Sequence, residues 1–259
     1  MDRLLHDSMQ CIAVGAGKES IPPAAGFPPL LQKNRIHLWL LSYEDLDCHY
    51  MVLSGLISKE EWHAASLFRN ETDTRKYILR HGVLRIILGN YTCQGPERIS
   101  FFYGKNGKPE LDCREGYNDV SFNLSHTSEM VVIGITRTQR IGIDIVKMDP
   151  WYHYQDIAEY ILTPAEKTCM QKIEPVMKYQ VFFRIWALKE AILKATGDTL
   201  SAMKDTDTSD IIQKGFVVPC GSVKFRNSLS PFFIWQFTSG DGYCGAIAAE
   251  TGFPENIQV

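Results

Sequence analysis

Residues 141–146 read Ile-Gly-Ile-Asp-Ile-Val, a run of apolar side chains that is interrupted by one carboxylate. The alternation about the isoleucines predicts a buried strand. A strand interior seldom holds a carboxylate without a partner, because burying an unpaired charge costs free energy. Asp144 is therefore a candidate functional residue within a core strand.

A second stretch, residues 186–194, reads Trp-Ala-Leu-Lys-Glu-Ala-Ile-Leu-Lys and predicts a helix. In a helix Trp186, Glu190 and Lys194 share one face, because they are spaced at i, i+4 and i+8. One carboxylate from a core strand and one from this helix suggest either a divalent metal site or a proton-transfer pair. The residues alone leave both interpretations open.

Composition limits the class of protein. With 259 residues, 45% of them hydrophobic, the chain is able to bury a large core as one big domain or two small ones. The net charge of −3 argues against a nucleic-acid-binding surface as the main function, although a local basic patch is compatible with it. Seven cysteines, without a Cys-x-x-Cys pair, favour free thiols in a reducing cytoplasm over a disulfide scaffold or zinc site.

No membrane or secretion signal is expected. No apolar run approaches the roughly 18 residues of a membrane-spanning helix, and the N-terminus does not resemble a signal peptide. Residues 21–29 are rich in proline, glycine and alanine. We therefore expect residues 1–33 to form a loosely ordered extension outside the fold.

The remaining pattern predicts an α+β unit that occurs twice. In the first unit, residues 34–140, a strand over 35–42 precedes a capping box at Ser58, a helix over 73–88 closed by Gly89-Asn90, and strands near 99–103, 120–124 and 131–136. In the second unit, residues 141–259, the strand with Asp144 precedes a capping box at Thr163, a helix over 178–196 that ends at Gly197, and strands over 232–237 and 243–249. The alternative is coincidence, since average element lengths make such matches easy.

Taken singly, the polar motifs are weak. A lone aspartate in an apolar strand more often lies at a strand end, and a Lys-Glu step in a helix is more often a solvated face. Asn106-Gly107 is simply a turn in most proteins, and His126 alone reads as a hydrogen-bonded histidine at a strand end.

Together and in order, four segments closely resemble the motifs of the Sfp-type 4′-phosphopantetheinyl transferases. The segments are residues 107–109, 122–126, 141–144 and 186–194, and the resemblance covers about residues 35–250. This family folds as two similar α+β halves related by pseudo-twofold symmetry, with the active site between them. The resemblance therefore implies that fold, with the metal site carried by residues 141–259.

The resemblance also implies a reaction. A serine hydroxyl of an apo acyl or peptidyl carrier protein attacks the pyrophosphate of coenzyme A, phosphopantetheine moves to the serine, and adenosine 3′,5′-bisphosphate leaves. Such chemistry needs a hard divalent cation, for which Mg²⁺ is suited, and cations that take up developing charge. The expected partners are carrier proteins and coenzyme A, with no nucleic acid or membrane, and one chain is expected to act as a monomer.

The resemblance assigns roles to particular residues. Asp144 and Glu190 become the metal ligands, and the catalytic group becomes Glu190 as a candidate base with Lys194 and His126. The residues implied to contact coenzyme A are Arg75, Lys76, Lys108, Pro109, Ser125, His126, Lys189 and Lys194. Within this set, Lys108 and Pro109 are expected at the adenine and ribose, Ser125 and His126 at phosphate oxygens, and Lys189 or Lys194 at the pyrophosphate. Arg75 and Lys76 belong, with Arg80, to a basic helix face that is equally typical of a solvated surface.

One position departs from the family. Many members carry a second acid two residues after the strand aspartate, where this chain has Val146. Strand alternation places Val146 on the face of Asp144, so a water or Thr127 would have to replace the missing ligand. Two other functions stay open: a catalytically silent homologue that binds coenzyme A or a carrier protein, and a different metal-assisted phosphoryl transferase.

Overall fold

The structure is a computed structural model, and it describes residues 31, 35–112, 119–137, 140–216, 221–223, 225, 231–239 and 242–250. The extension predicted over residues 1–33 lies outside these ranges except for Leu31, which is buried among the apolar residues of the first core. No helix in the described ranges is long and apolar enough to cross a bilayer.

The first half, taken as the described residues up to Arg137, contains one strand, four α-helices and four further strands. In chain order these are β1 (Ile36–Ser42), α1 (Tyr43–Asp47), α2 (Tyr50–Ser54), α3 (Lys59–Ser66), α4 (Glu71–Thr92), β2 (Phe101–Tyr103), β3 (Pro109–Leu111), β4 (Val120–His126) and β5 (Met130–Arg137). Strands β1, β5 and β4 form an antiparallel sheet in that order, and β2 pairs with β3 as a separate hairpin.

The second half begins with the strand predicted around Asp144. Its elements are β6 (Ile141–Lys147), α5 (Gln155–Ile161), α6 (Pro164–Gln171), α7 (Lys178–Thr196), α8 (Ser209–Gln213), β7 (Gly221–Val223), β8 (Phe232–Ser239) and β9 (Tyr243–Glu250). The strands form an antiparallel sheet in the order β6-β9-β8-β7. The fold is therefore α+β, as the sequence predicted.

Both predicted capping boxes are present. Ser58 caps α3 with Glu61, and Thr163 caps α6 with Glu166; in each box the hydroxyl accepts a backbone N–H and the glutamate accepts the N–H of the cap residue. The predicted end of α7 at Gly197 is also confirmed, with Gly197 at φ 74.

The predicted end of the long helix of the first half is wrong. α4 continues through Gly89 and Asn90 to Thr92, and Cys93 takes the left-handed conformation at φ 55. A Cβ at Gly89 would lie 2.7 Å from the carbonyl oxygen of Gln94. Gly89 therefore serves close packing inside the helix rather than its termination.

The layers are α4, the β1-β5-β4 sheet, the β6-β9-β8-β7 sheet and α7. One face of the first sheet packs on α4, and its other face packs on the second sheet through side chains such as Ile36, Val132 and Ile143. The far face of the second sheet packs on α7. The edge strands β4 and β6 lie side by side where the two halves meet.

Gly142 allows α7 to approach β6. A Cβ at this position would lie 2.0 Å from the carbonyl oxygen of Ala191 and 2.3 Å from the backbone nitrogen of Ala195, so the helix backbone rests directly on the strand. This close approach brings the last turns of α7 next to the β6 backbone at Asp144.

Gly142→Ala is expected to lower the free energy of unfolding by about 1–3 kcal/mol, because the new methyl group overlaps backbone atoms that cannot move independently. Denaturant unfolding of the variant measures this. Gly104→Ala is the matched control, since a Cβ there meets its nearest heavy atom at 3.7 Å. Equal unfolding midpoints for the two variants would contradict the close packing of α7 on β6.

Candidate active site

Asp144 lies in the interior of β6 and is buried. Its Oδ1 accepts hydrogen bonds from Lys194 Nζ at 2.7 Å and from Ser125 Oγ at 3.0 Å. Three elements therefore meet at this carboxylate: β6 carries it, β4 supplies the hydroxyl and α7 supplies the ammonium group. The buried charge has partners, as its position in an apolar strand required.

Glu190 and Lys194 lie one turn apart on the face of α7 that is turned toward Asp144. Both are half-buried. Burial raises the pKa of the Glu190 carboxyl, and the nearby charge of Asp144 raises it further, while Lys194 acts in the opposite direction. Glu190 and Asp144 are therefore close enough to repel each other.

The pKa of Asp144 is also raised. Burial is the main cause, and the Lys194 ammonium group and the Ser125 hydroxyl oppose it. A nearby positive charge favours the ionised forms of two such carboxylates, and a divalent cation would supply one. Their oxygens fit Mg²⁺, which uses one or two protein carboxylates and takes its other ligands from waters and substrate phosphates.

Val146, which stands where many family members have a third acid, lies on the β6 face that strand alternation predicts. Val146 is partly buried and packs against the apolar core under α7, as expected for the β6 face that carries Asp144. Thr127 does not stand ready as a replacement ligand, because its Oγ1 accepts the backbone N–H groups of Glu129 and Met130 at 3.1 and 3.2 Å. In the described part of the chain, no group of three or more His, Cys, Asp or Glu side chains is arranged to hold a metal.

The Ser125 hydroxyl, expected at a phosphate, makes its contacts within the protein. The side chain is buried, and Oγ donates to Asp144 while it accepts from Lys194 Nζ at 3.0 Å and from the backbone N–H of Ile145 at 3.3 Å. One donation and two acceptances use the full capacity of a hydroxyl. The structure places Ser125 under the carboxylate, as a support for Asp144 and Lys194.

His126 is the next residue of β4 and is exposed at the strand end. Partial burial of the ring lowers its pKa, and the Arg80 guanidinium group adds to this effect. Lys194 lowers it further. His126 therefore lies among cations, and the local charge is suited to an anion.

Arg80 is a residue of this site that the sequence did not assign. It lies on α4, where its guanidinium carbon is 4.6 Å from the centre of the Tyr77 ring. Its charge acts on His126 across the boundary between the helix and β4. The only sequence signal was its membership of the basic face with Arg75 and Lys76.

Arg75 and Lys76 lie on the first turns of α4, and their contacts are within the first half. Arg75 pairs with Asp47 and lies 4.0 Å from the centre of the Tyr50 ring. Lys76 Nζ lies 5.6 Å from the centre of the Tyr43 ring. The salt bridge of Arg75 is largely exposed, so it restrains that side chain only weakly.

Lys108 and Pro109 lie at the boundary between the halves. Lys108 Nζ donates to the carbonyl oxygen of Ile141 at 3.0 Å, and burial lowers the pKa of this amine. Asn106 Nδ2 donates to the carbonyl oxygen of Gly197 at 2.6 Å. The β2–β3 hairpin therefore reaches across to the start of β6 and the end of α7.

Lys189 is not brought to the group around Asp144. Its side chain has no exposed surface, and Nζ contacts Glu166 Oε2 at 2.7 Å and the carbonyl oxygens of Ile161 and Met203 at 2.9 and 3.0 Å. All three N–H bonds of the ammonium group are thus occupied within the protein. The expected contact of Lys189 with coenzyme A is replaced by a structural role.

Comparison of the sequence with known protein families gives a match that covers the residues around Asp144. The sequence profile described as the 4′-phosphopantetheinyl transferase superfamily matches residues 140–248, the range that contains Asp144, Glu190 and Lys194.

Individual relatives match over most of the chain. The chain is 32% identical over 215 residues to the putative 4′-phosphopantetheinyl transferase slr0495 of Synechocystis sp., covering 79% of this chain and 87% of the relative. It is 30% identical over 177 residues to the 4′-phosphopantetheinyl transferase HetI of Nostoc sp., covering 68% and 75%. It is 28% identical over 204 residues to the 4′-phosphopantetheinyl transferase Sfp of Bacillus subtilis, covering 78% and 87%.

Proposed function

The chain belongs to the 4′-phosphopantetheinyl transferase family, and we propose that Asp144, Glu190 and Lys194 carry its reaction. The protein is a transferase that moves the 4′-phosphopantetheine group of coenzyme A to a serine of an apo carrier protein. The observation that supports the residue roles is the 2.7 Å contact between Lys194 Nζ and the buried Asp144. The carboxyl of Glu190 lies close enough for the charge of Asp144 to raise its pKa.

In this reaction the serine oxygen forms a bond to the phosphorus that bears pantetheine. The bond from that phosphorus to the bridging oxygen breaks, and adenosine 3′,5′-bisphosphate leaves with the electron pair. The serine proton passes to Glu190, or to a water that Glu190 orients. The raised pKa of Glu190 makes its carboxylate a stronger base than an ordinary glutamate.

Asp144 and Glu190 would hold Mg²⁺, which supplies charge stabilisation at the phosphate oxygens when bound. Lys194 would bind the pyrophosphate, because its half-buried ammonium group lies beside the carboxylates and contacts Asp144. Arg80 adds positive charge next to that position, and His126, whose pKa is lowered to about 4, adds a neutral imidazole that is able to donate a hydrogen bond.

Further contacts of coenzyme A belong to the same proposal. Lys108 and Pro109, at the boundary between the halves, are proposed to border the adenine and ribose. Arg75 or Lys76 is proposed to meet the 3′-phosphate. Both stay candidates, because the exposed salt bridge of Arg75 with Asp47 restrains that side chain only weakly.

The architecture is proposed to consist of two halves, residues 34–140 and 141–259, related by pseudo-twofold symmetry. Each half pairs a capping-box glutamate with a buried cation of the following long helix, Glu61 with Arg85 and Glu166 with Lys189. In each half the cation also donates to two backbone carbonyl oxygens.

The partners are acyl or peptidyl carrier proteins and coenzyme A. We propose a monomer, because one chain supplies every residue assigned here, and we propose neither nucleic acid nor a membrane as a partner. A cytoplasmic location is proposed from the free thiols of Cys48, Cys93, Cys169 and Cys244.

The experiment that tests this function follows the leaving group. Purified protein, coenzyme A, Mg²⁺ and a panel of apo-carriers are incubated, and adenosine 3′,5′-bisphosphate is quantified by chromatography against holo-carrier. Equal amounts of the two products are expected. Binding of coenzyme A without release in the presence of every carrier would instead support a silent homologue, and a different nucleotide product would support another phosphoryl transferase.

The Val146 position gives a prediction about the metal. Val146→Glu is expected to lower the Mg²⁺ concentration for half-maximal transfer by about three- to tenfold, because affinity for hard cations rises with the number of carboxylates. The measurement is the initial rate as a function of Mg²⁺. Val146→Gln has the same shape without the charge and is expected to give no such gain. Equal behaviour of the two variants would show that position 146 does not face the metal.

A further inference from the structure

The seam between the two halves is formed by side chains of one half and the backbone of the other. β4 and β6 are edge strands of different sheets. The backbone groups of β6 that point away from β9 occur at every second residue, here Ile141, Ile143 and Ile145. Side chains from the first half reach each of these three residues.

The contacts form a regular ladder. Lys108 Nζ donates to the carbonyl oxygen of Ile141 at 3.0 Å. The backbone N–H of Ile143 donates to Asn123 Oδ1 at 2.7 Å. The N–H of Ile145 donates to Ser125 Oγ at 3.3 Å.

Asn123 is the central rung. Its side chain is buried, and it leaves β4 on the same side as Ser125 because the two residues are separated by one position of the strand. A buried backbone N–H requires an acceptor, so Asn123 fixes which residue of β6 lies opposite which residue of β4. The hydrogen bond between Asn123 and Ile143 therefore sets the register of β6 against β4.

The last rung is shared with the active site. The Ser125 hydroxyl that accepts from Ile145 also donates to Asp144 and accepts from Lys194. The register of the seam and the position of the Asp144 carboxylate are thus fixed by the same atoms. A slip of the seam would move Asp144 relative to His126, which lies next to Ser125 on β4.

We propose that Asn123 and Ser125 are positioning residues for phosphopantetheine transfer: they hold β6 in register with β4 and thereby align Asp144 and Lys194 of the second half with His126 of the first. This inference rests on the proposed function. Ser125 acts through Asp144 and Lys194 rather than on coenzyme A, and Asn123 acts through Ile143.

The test compares Asn123→Ala and Ser125→Ala with wild type by two measurements. The first is hydrogen exchange of the Ile143 amide, with the Ile247 amide of the partner strand β9 as internal reference. Asn123→Ala is expected to speed exchange at Ile143 about tenfold, the effect of one lost hydrogen bond, with Ile247 changed less. The second is steady-state transfer, where both variants are expected to lose about tenfold or more in kcat with the KM for coenzyme A changed less than about threefold.

Thr136→Val is the matched control. Thr136 is fully buried in β5 and donates to the carbonyl oxygen of Arg35 at 3.0 Å, away from the seam. Its loss is expected to reduce stability while kcat stays within about twofold of wild type. Ser125→Thr keeps the hydroxyl and is expected to recover most of the activity that Ser125→Ala loses.

Three outcomes would overturn the inference. One is unchanged exchange at Ile143 in Asn123→Ala. The second is a rise in the KM for coenzyme A at constant kcat in Ser125→Ala, which would make Ser125 a phosphate ligand. The third is an equal loss of kcat in Thr136→Val. Should Asn123→Ala not fold, Asn123→Leu, which has a similar size and no acceptor oxygen, gives the same comparison. Failure of the proposed function would appear separately, as wild-type protein that modifies no carrier while the exchange result at Ile143 still holds.

Discussion

Glu190→Gln is expected to lower the rate of transfer by about 10³-fold, the usual size of a lost general base, and at the same time to make the metal-free protein more stable. The loss of rate follows because the amide neither accepts the serine proton nor offers a charged ligand. The gain in stability follows from the pKa shifts. The carboxyls of Asp144 and Glu190 have raised pKa values in the folded protein, so their ionised forms cost stability.

The sign of the pH dependence follows from the same shifts. Between the unfolded and folded pKa values the folded protein binds more protons than the unfolded chain, so this contribution to stability falls as pH rises through that window. At neutral pH the charge of Glu190 is therefore unfavourable without a cation. Removal of that charge is therefore expected to raise Tm, by about 2–4 °C for each kcal/mol that the ionised form costs in a chain of this size.

Mg²⁺ provides the control for Glu190→Gln. Addition of Mg²⁺ is expected to raise the Tm of wild type, because ligand binding stabilises the folded state, and to leave Glu190→Gln nearly unchanged. Thermal unfolding with and without Mg²⁺ measures both effects. A Glu190→Gln protein that is less stable than wild type in the absence of metal would show that the charge of Glu190 does not destabilise the folded protein.

Lys189→Met is expected to lower the free energy of unfolding by about 3–5 kcal/mol, because it leaves the buried Glu166 carboxylate without its cation. The ammonium group also donates to the carbonyl oxygens of Ile161 and Met203, and these bonds are lost with it. Burial lowers the pKa of Lys189, which agrees with an amine held in an apolar setting by its partners. Denaturant unfolding measures the change.

The transfer rate separates this structural role from a role at coenzyme A. At a temperature where Lys189→Met is folded, its KM for coenzyme A is expected to match that of wild type. The double variant Glu166→Gln with Lys189→Met is expected to recover part of the stability, since no unpaired charge remains. A folded Lys189→Met protein with a greatly raised KM would return Lys189 to the coenzyme A site.

The helices and strands that carry the site were predictable because their signals are local. The apolar alternation at residues 141–146, the two capping boxes and the glycine after α7 each specify structure through neighbouring residues. The end of α4 was not predictable in this way. Gly89 looks like a helix terminator in sequence, and only its contact with Gln94 shows why a glycine lies inside the helix.

The site residues likewise differ in how far local sequence predicts their positions. That Glu190 and Lys194 share a helix face follows from their spacing, and the structure brings both to Asp144. Lys189 and Glu190 are adjacent, so they point about 100° apart, and sequence alone does not say which one enters the core. The partner that decides it, Glu166, lies on a different helix.

Residues that act across the seam were the least accessible to sequence reasoning. Asn123 and Ser125 both stand in the segment 122–126, but the atoms that they contact belong to β6. Arg80 likewise acts on His126 from another element. Such contacts depend on how elements distant in sequence pack together, and no local pattern encodes them.

The most direct test of the account is the intact mass of an apo-carrier protein after incubation with coenzyme A, Mg²⁺ and this protein. Wild type is expected to add the mass of one phosphopantetheine group, and Asp144→Ala and Glu190→Ala are expected to leave the carrier unmodified over the same time. Modification by both variants at the wild-type rate would contradict the assignment of Asp144 and Glu190 as the residues on which transfer depends.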